Sequence, residues 1–173
     1  MNKIQINKVS NANVYIDGNS FLGRAEEFQL PQVKVKMVDH KALGMVAAIR
    51  VPAGLEPMEA KIKWASLYPE AFDKYADFTK TCRLQLRASL ESFDPQGRTS
   101  EVPVVVFLTA MFHEFPIGNF KHLDPAEFET SLTVYYLKLV VGGEEKLEID
   151  TFANIYKVNG EDKLETYKAN IGG

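Results

Sequence analysis

Met58–Trp64 reads MEAKIKW and alternates without a break. In an extended backbone, Met58, Ala60, Ile62 and Trp64 share one face, and Glu59, Lys61 and Lys63 share the other. The same period of two runs through residues 82–93. There Leu84, Leu86, Ala88 and Leu90 oppose Arg83, Gln85, Arg87, Ser89 and Glu91. A shorter copy lies upstream, where Val33, Val35 and Met37 alternate with Lys34 and Lys36. All three read as strands with one apolar and one charged face.

Outward from these segments the chain stays rich in strand signals. Residues 13–17 (NVYID) lead into Gly18-Asn19 and residues 21–28, and the Asp-Gly step between β-rich segments predicts a hairpin. Residues 94–97 (DPQG) are a turn before a long strand over residues 102–115, apolar on both faces for much of its length. Residues 116–126 read as loop and 128–141 as another long strand. Gly142-Gly143 turns it into a strand over residues 146–152, and residues 155–158 add a short one.

Two helices are expected. Residues 69–80 place Phe72, Tyr75, Ala76 and Thr79 on one side, with Pro69 in the first turn, where its missing N–H costs nothing. Asn159-Gly160 opens a helix over residues 161–170, with Leu164, Tyr167 and Lys168 on one side and Gly172 as terminator. The fold class is therefore mainly β with one or two helices.

Residues 39–57 break the pattern. Gly44, Pro52, Gly54 and Pro57 surround the apolar residues 45–51, in a segment longer than most ordinary connections. It is expected to be a long loop or hairpin arm within a single domain over residues 1–173, and insertions of this kind are usually functional or mobile.

Composition narrows the function. The chain has 173 residues, 46% apolar and 25% charged, as expected for one globular domain. A net charge of −3 and a pI near 5.7 disfavour a dedicated nucleic-acid binder. Residues 1–86 carry 12 basic and 9 acidic side chains, and residues 87–173 carry 8 and 14. Copies meeting head to tail would bring complementary ends together. Cys82 is the only cysteine, which excludes an internal disulfide and a multi-cysteine zinc site. The apolar stretch at residues 102–112 is too short to span a bilayer, and the N-terminal residues show no secretory h-region.

Chemistry-bearing motifs are missing from the sequence. There is no GxxxxGK[ST], GxGxxG or GxSxG. His40, His113 and His122 match no metal-ligand spacing, and His113-Glu114 would point to opposite faces of a strand. Glu26-Glu27 and Glu144-Glu145 read as solvated turn charges, and Trp64, Tyr135, Tyr136 and Phe152 read as core packing. No catalytic, cofactor-binding or metal-binding residue is assigned, and no enzyme activity is expected. What remains is architecture. A β-domain must blunt its edge strands, and neighbouring copies can cover them; contacts that close make rings, and further contacts stack rings into tubes.

The order of segments resembles the major tail tube protein family of contractile-tailed bacteriophages and of phage-tail-like bacteriocins. The matching pieces are NVYIDGNSFLG (residues 13–23), LP (30–31), MEAKIKW (58–64), VPVVV (102–106), VYYLKLVVGGEEKLEID (134–150) and NIYKVNGEDKL (154–164). One departure is DHKALG at residues 39–44, with a single glycine where many members carry a Gly-rich stretch.

The resemblance implies a β-barrel-like sandwich of antiparallel strands with a flanking helix, similar in fold to the tube-forming haemolysin-coregulated protein of type VI secretion. It also implies homohexameric rings, stacked into a hollow inner tube that conducts DNA during injection. Candidate barrel-wall residues are then Met58, Ala60, Ile62, Trp64, Leu84, Leu86, Ala88 and Leu90. Candidate ring-stacking residues are Asp39, His40, Lys41, Leu43, Met45, Val46, Ile49, Val51 and Leu55, because an apolar stretch left bare on a monomer is a liability. The terminal segments, residues 1–11 and 161–173, are candidates for docking on neighbours, sheath or baseplate.

The implied partners are sister copies, the tail sheath protein, baseplate and tail-terminator proteins, and a tape measure protein in the lumen. DNA would pass only in transit, along a wall that is not basic. No cofactor and no membrane insertion are expected, and the location implied is the virion tail, assembled in the bacterial host cytoplasm. Two other readings compete. One is the tube of a genome-free bacteriocin or other contractile injection system; the other is a monomeric β-barrel that binds a ligand in a closed apolar cavity.

Overall fold

A computed structural model describes residues 4–173, and among them the chain forms thirteen strands and two short helices. The strands are β1 (Ile6–Ile16), β2 (Asn19–Ser20), β3 (Ala25–Gln29), β4 (Val35–His40), β5 (Ile49–Leu55), β6 (Met58–Trp64) and β7 (Cys82–Asp94). They continue with β8 (Gly97–Glu114), β9 (Asn119–Lys121), β10 (Asp124–Val141), β11 (Glu144–Asp150), β12 (Ile155–Val158) and β13 (Glu161–Asp162). The helices are α1 (Pro69–Tyr75) and α2 (Glu165–Ile171). Eleven strands make one antiparallel sheet along the path β13-β12-β11-β10-β8-β7-β1-β2, with β3, β6 and β9 attached to its side; β4 and β5 pair only with each other.

The 18-residue β10 organises the sheet. One edge pairs with β8 from Ser131 to Val141. The other edge is divided: Phe128–Val134 pairs with β6, and Tyr136–Val141 with β11. At Tyr135 a bulge shifts the β8 register. Consequently Leu132 and Val134 point inward before it and Leu137 after it, and a strict alternation is broken without losing burial. Parting two partners along one edge lets the sheet fold over a single core.

That core is the face set out by MEAKIKW. Met58, Ala60, Ile62 and Trp64 are all buried, as are Val14 and Ile16 of β1, Cys82 and Leu84 of β7, and Val106, Leu108, Ala110 and Phe112 of β8. The Trp64 indole N–H donates to Thr130 Oγ1 at 3.1 Å, and the Thr130 hydroxyl donates onward to the Ile62 carbonyl at 3.3 Å. A buried threonine is thereby satisfied, and the indole is fixed. Phe21, Trp64, Tyr75 and Phe112 continue as a chain of ring contacts with centroids 5.7 to 6.2 Å apart. α1 lays Ala71 and Tyr75 onto this cluster and covers one end of the core.

Several expectations change. The Asp17-Gly18 hairpin forms, with both residues at positive φ, as a two-residue primed turn requires. Its second strand is only Asn19–Ser20, because Phe21 turns inward against Trp64, and β3 then pairs with β6. The helix expected over residues 69–80 ends at Tyr75. Asp77 accepts the backbone N–H of Thr79 at 3.0 Å and its hydroxyl as well, a local turn that competes with further helix. Thr79 is exposed.

Residues 116–126, expected as loop, contain the short hairpin β9–β10. Asn159-Gly160 does not open a helix; both residues have positive φ and join β12 to β13 in a hairpin, so α2 starts at Glu165. Phe152 lies beyond β11 and is 83% exposed against Tyr135, while the Tyr136 hydroxyl points to Glu148 on the outer face. Of the four aromatics read as core, only Trp64 is buried.

Candidate assembly surfaces

Val33, Val35 and Met37 alternate with lysines as a half-buried strand should; Val33 packs against the core, yet Val35 and Met37 are left exposed. Every residue of β4 and β5 is exposed. The two strands pair through Val35↔Leu55, Met37↔Pro52, Val38↔Val51, Asp39↔Arg50 and His40↔Ile49, and they project as an arm. Glu56 N–H closes its base by donating to the Lys34 carbonyl at 2.9 Å. Arg50 reaches across to Asp39 at 3.1 Å, an exposed ion pair that sets register more than stability. A two-stranded hairpin alone is marginal in water, so its bare apolar side chains call for another surface.

The nine expected stacking residues all fall on this arm. Asp39 and His40 end β4; Lys41, Leu43, Met45 and Val46 lie in the connecting turn; Ile49, Val51 and Leu55 belong to β5. Leu43 and Val46, at the tip, are fully exposed. The arm begins four residues before the expected boundary at 39. Val35, Met37 and Val38 therefore join the surface, and the alternation of Val35 and Met37 with Lys34 and Lys36 was the available signal.

The eight expected wall residues divide. Met58, Ala60, Ile62, Trp64 and Leu84 are buried, and Leu86, Ala88 and Leu90 are half-buried. For Leu90, opposite Val102, the exposure comes from register. β10 accompanies β8 only as far as Val104, whereas β7 and β8 continue together to Asp94 and Gly97, beside the first residues of β1. Beyond that point a ribbon of three strands runs on past β10. Ile6 and Val9 are exposed there. Of the terminal segment 1–11, residues 1–3 lie outside the described residues. A further apolar group, Ile117, Phe120 and Leu123, stands exposed around β9, in a segment whose sequence shows no strand periodicity.

The outer face of β10 to β13 is a self-neutralising ladder. Lys138 pairs with Glu145 at 3.0 Å, Lys157 with Glu148 at 3.0 Å, and Lys168 with Asp162 at 2.6 Å. The Tyr136 hydroxyl donates to Glu148 at 2.8 Å. Burial, then Glu148 beside it, pushes the Tyr136 phenol far above its ordinary value. Burial raises the Glu148 carboxyl, but hydrogen bonds from Lys157 and Tyr136 outweigh this and leave it below the usual range. Asp162 also accepts the Leu164 N–H at 2.9 Å, which ties α2 to the sheet. His113 Nδ1 lies 3.0 Å from Thr133 Oγ1, in an exposed pair. Among the described residues, no three His, Cys, Asp or Glu side chains gather to hold a metal, and no helix is long and apolar enough to cross a membrane.

Residues 6–172 match the family model of the phage tail tube protein FII. The chain belongs to that family. The tail tube protein of Escherichia phage P2 is 31% identical over 169 residues, covering 95% of this chain and 96% of that protein. The major tail tube protein of Serratia phage KSP20 is 28% identical over 151 residues, covering 86% and 85%. Among solved structures, a chain of the PVC sheath-tube complex, from an extracellular contractile injection system in its extended state, shares the fold. Its TM-score is 0.55 at 10% identity, over 75% of this chain and 87% of that one. A chain of the PVC sheath/tube terminator follows at TM-score 0.54 and 12% identity, over 75% and 92%. The molecule is a tail tube subunit with the mainly antiparallel β-fold expected of one, and its work is structural.

Proposed function

We propose that copies of this chain close into six-membered rings, that rings stack into the hollow inner tube of a contractile phage tail, and that the arm Val35–Leu55 bridges one ring to the next. The observation that carries this reading is the arm itself: two strands, paired only with each other, with Val35, Met37, Val38, Ile49 and Val51 uncovered. A hairpin so bare is stabilised when a sister copy buries it. Family membership favours this reading over a monomeric ligand-binding barrel. The sheath protein grips the outside, terminator and baseplate proteins cap the ends, a tape measure protein fills the lumen during assembly, and DNA passes without tight binding. Subunits assemble in the host cytoplasm and end in the virion tail.

The base geometry supplies the test. Because Lys34 and Glu56 are already bonded, residues 36–54 can be replaced by an Asn-Gly turn between Val35 and Leu55. The shortened chain is expected to fold as a soluble subunit and to form no rods in negative-stain micrographs of concentrated protein. Long rods from the shortened chain would refute the bridging role.

A further inference from the structure

An apolar groove of about 770 Å³ opens at the base of the arm. One wall is Val35 with Pro52–Leu55, and the other is formed by Ile155, Tyr156, Leu164 and Tyr167 of the C-terminal hairpin and α2. We propose that this groove receives the arm tip, Leu43 and Val46, of a second copy of the same chain. The inference rests on the reading of the arm as a bridge between subunits and names the surface that it meets.

Shape is the first argument. Leu43 and Val46 are fully exposed at a protruding turn, and a protrusion needs a concave acceptor. Reach is the second. β4 advances about 3.3 Å per residue, so its six residues hold the tip about 20 Å from the base. A paired hairpin of that length does not fold back into the groove at its own root, and the occupant must come from another molecule. Charge is the third. The turn at residues 41–48 carries Lys41 and no acidic side chain, whereas Asp150 is the one charged residue among those that line the groove. The lysine at the tip thus meets a carboxylate in the groove. Tip and groove are different surfaces on one chain, so the contact is heterologous, and repeating it gives an open polymer unless it closes.

Cysteine pairing reads the contact directly. Cys82 is buried and stays as it is. Leu43→Cys and Tyr167→Cys variants are mixed, assembled, oxidised and run on non-reducing gels. The expected product is a covalent dimer in the mixture, and a ladder of multimers from the L43C/Y167C double variant, with no linkage from either single variant alone. Val46→Cys replaces Leu43→Cys if the latter impairs assembly.

Linkage of L43C to a Phe120→Cys variant instead would overturn the inference, since the tip would then sit on the apolar group around β9. So would a link within one chain of the dilute double variant. A Tyr167→Cys thiol as reactive to maleimide in rods as in free subunits would overturn it too, because the groove would be empty or left to another protein. Rods from the arm-less chain would instead refute the bridge itself, which keeps the two failures separable.

Discussion

Replacing Leu43 and Val46 together by serine separates assembly from folding. Both side chains are fully solvent-exposed in the subunit, so their removal takes nothing from its core. The subunit's stability should change by no more than about 0.5 kcal/mol, as for surface substitutions generally. On the proposed bridging role, the same side chains are buried against a sister copy in the assembled tube. Burying a Leu or Val side chain contributes roughly 1.5–3 kcal/mol, so each contact loses about 3–6 kcal/mol. At about 1.4 kcal/mol per tenfold, that is an association constant about 10²–10⁴ smaller per contact. Sedimentation across a concentration series measures the critical concentration for rods, and a thermal melt of the dilute subunit measures folding. A raised critical concentration with an unchanged melt is the expected pair of results. Rods at the wild-type concentration would show that the tip is buried against nothing, and the argument for the arm would fall.

Two other variants address the subunit. Thr130→Val keeps the shape of a fully buried side chain but removes the acceptor of the Trp64 indole N–H. An orphaned buried donor costs about 1–3 kcal/mol, read as a lower urea midpoint by the fluorescence of Trp64, the single tryptophan; an unchanged midpoint would refute the network. Asp17 accepts the Arg83 N–H at 3.0 Å and pairs with Lys74 at 2.9 Å; burial raises its carboxyl, yet these partners outweigh burial and hold it below the usual carboxylate range. A depressed carboxylate stabilises the fold above its unfolded value, and that contribution disappears as pH falls through the folded value. Melting temperature should therefore fall below about pH 4, less steeply in Asp17→Asn, whose asparagine suits the positive φ at this position. Equal slopes in the two proteins would contradict the role given to Asp17.

Local physics made much of this legible in advance. The alternation of Met58–Trp64 names the buried face residue by residue, since successive side chains of a strand point to opposite sides whatever lies beside it. Asp17-Gly18 announces its hairpin because few other residues accept two consecutive positive φ values. Asn159-Gly160 makes the same turn by the same chemistry, and placing a helix start there overlooked it. The bare arm was half visible: its turn residues stood out as irregular, but Val35 and Met37 looked like part of an ordinary half-buried strand.

A sequence pattern states that a face is apolar and leaves open what covers it. Coverage depends on which distant segments meet, and that only the tertiary structure decided. β10 divides one edge between β6 and β11, the β7–β8 ribbon outruns its partner, and β4 and β5 find no body to lie on. Periodicity and turn sterics act over a few residues and are written locally. Pairing and burial are set by contacts between residues tens of positions apart, and the uncovered surfaces on which a tube would be built are what those contacts leave over.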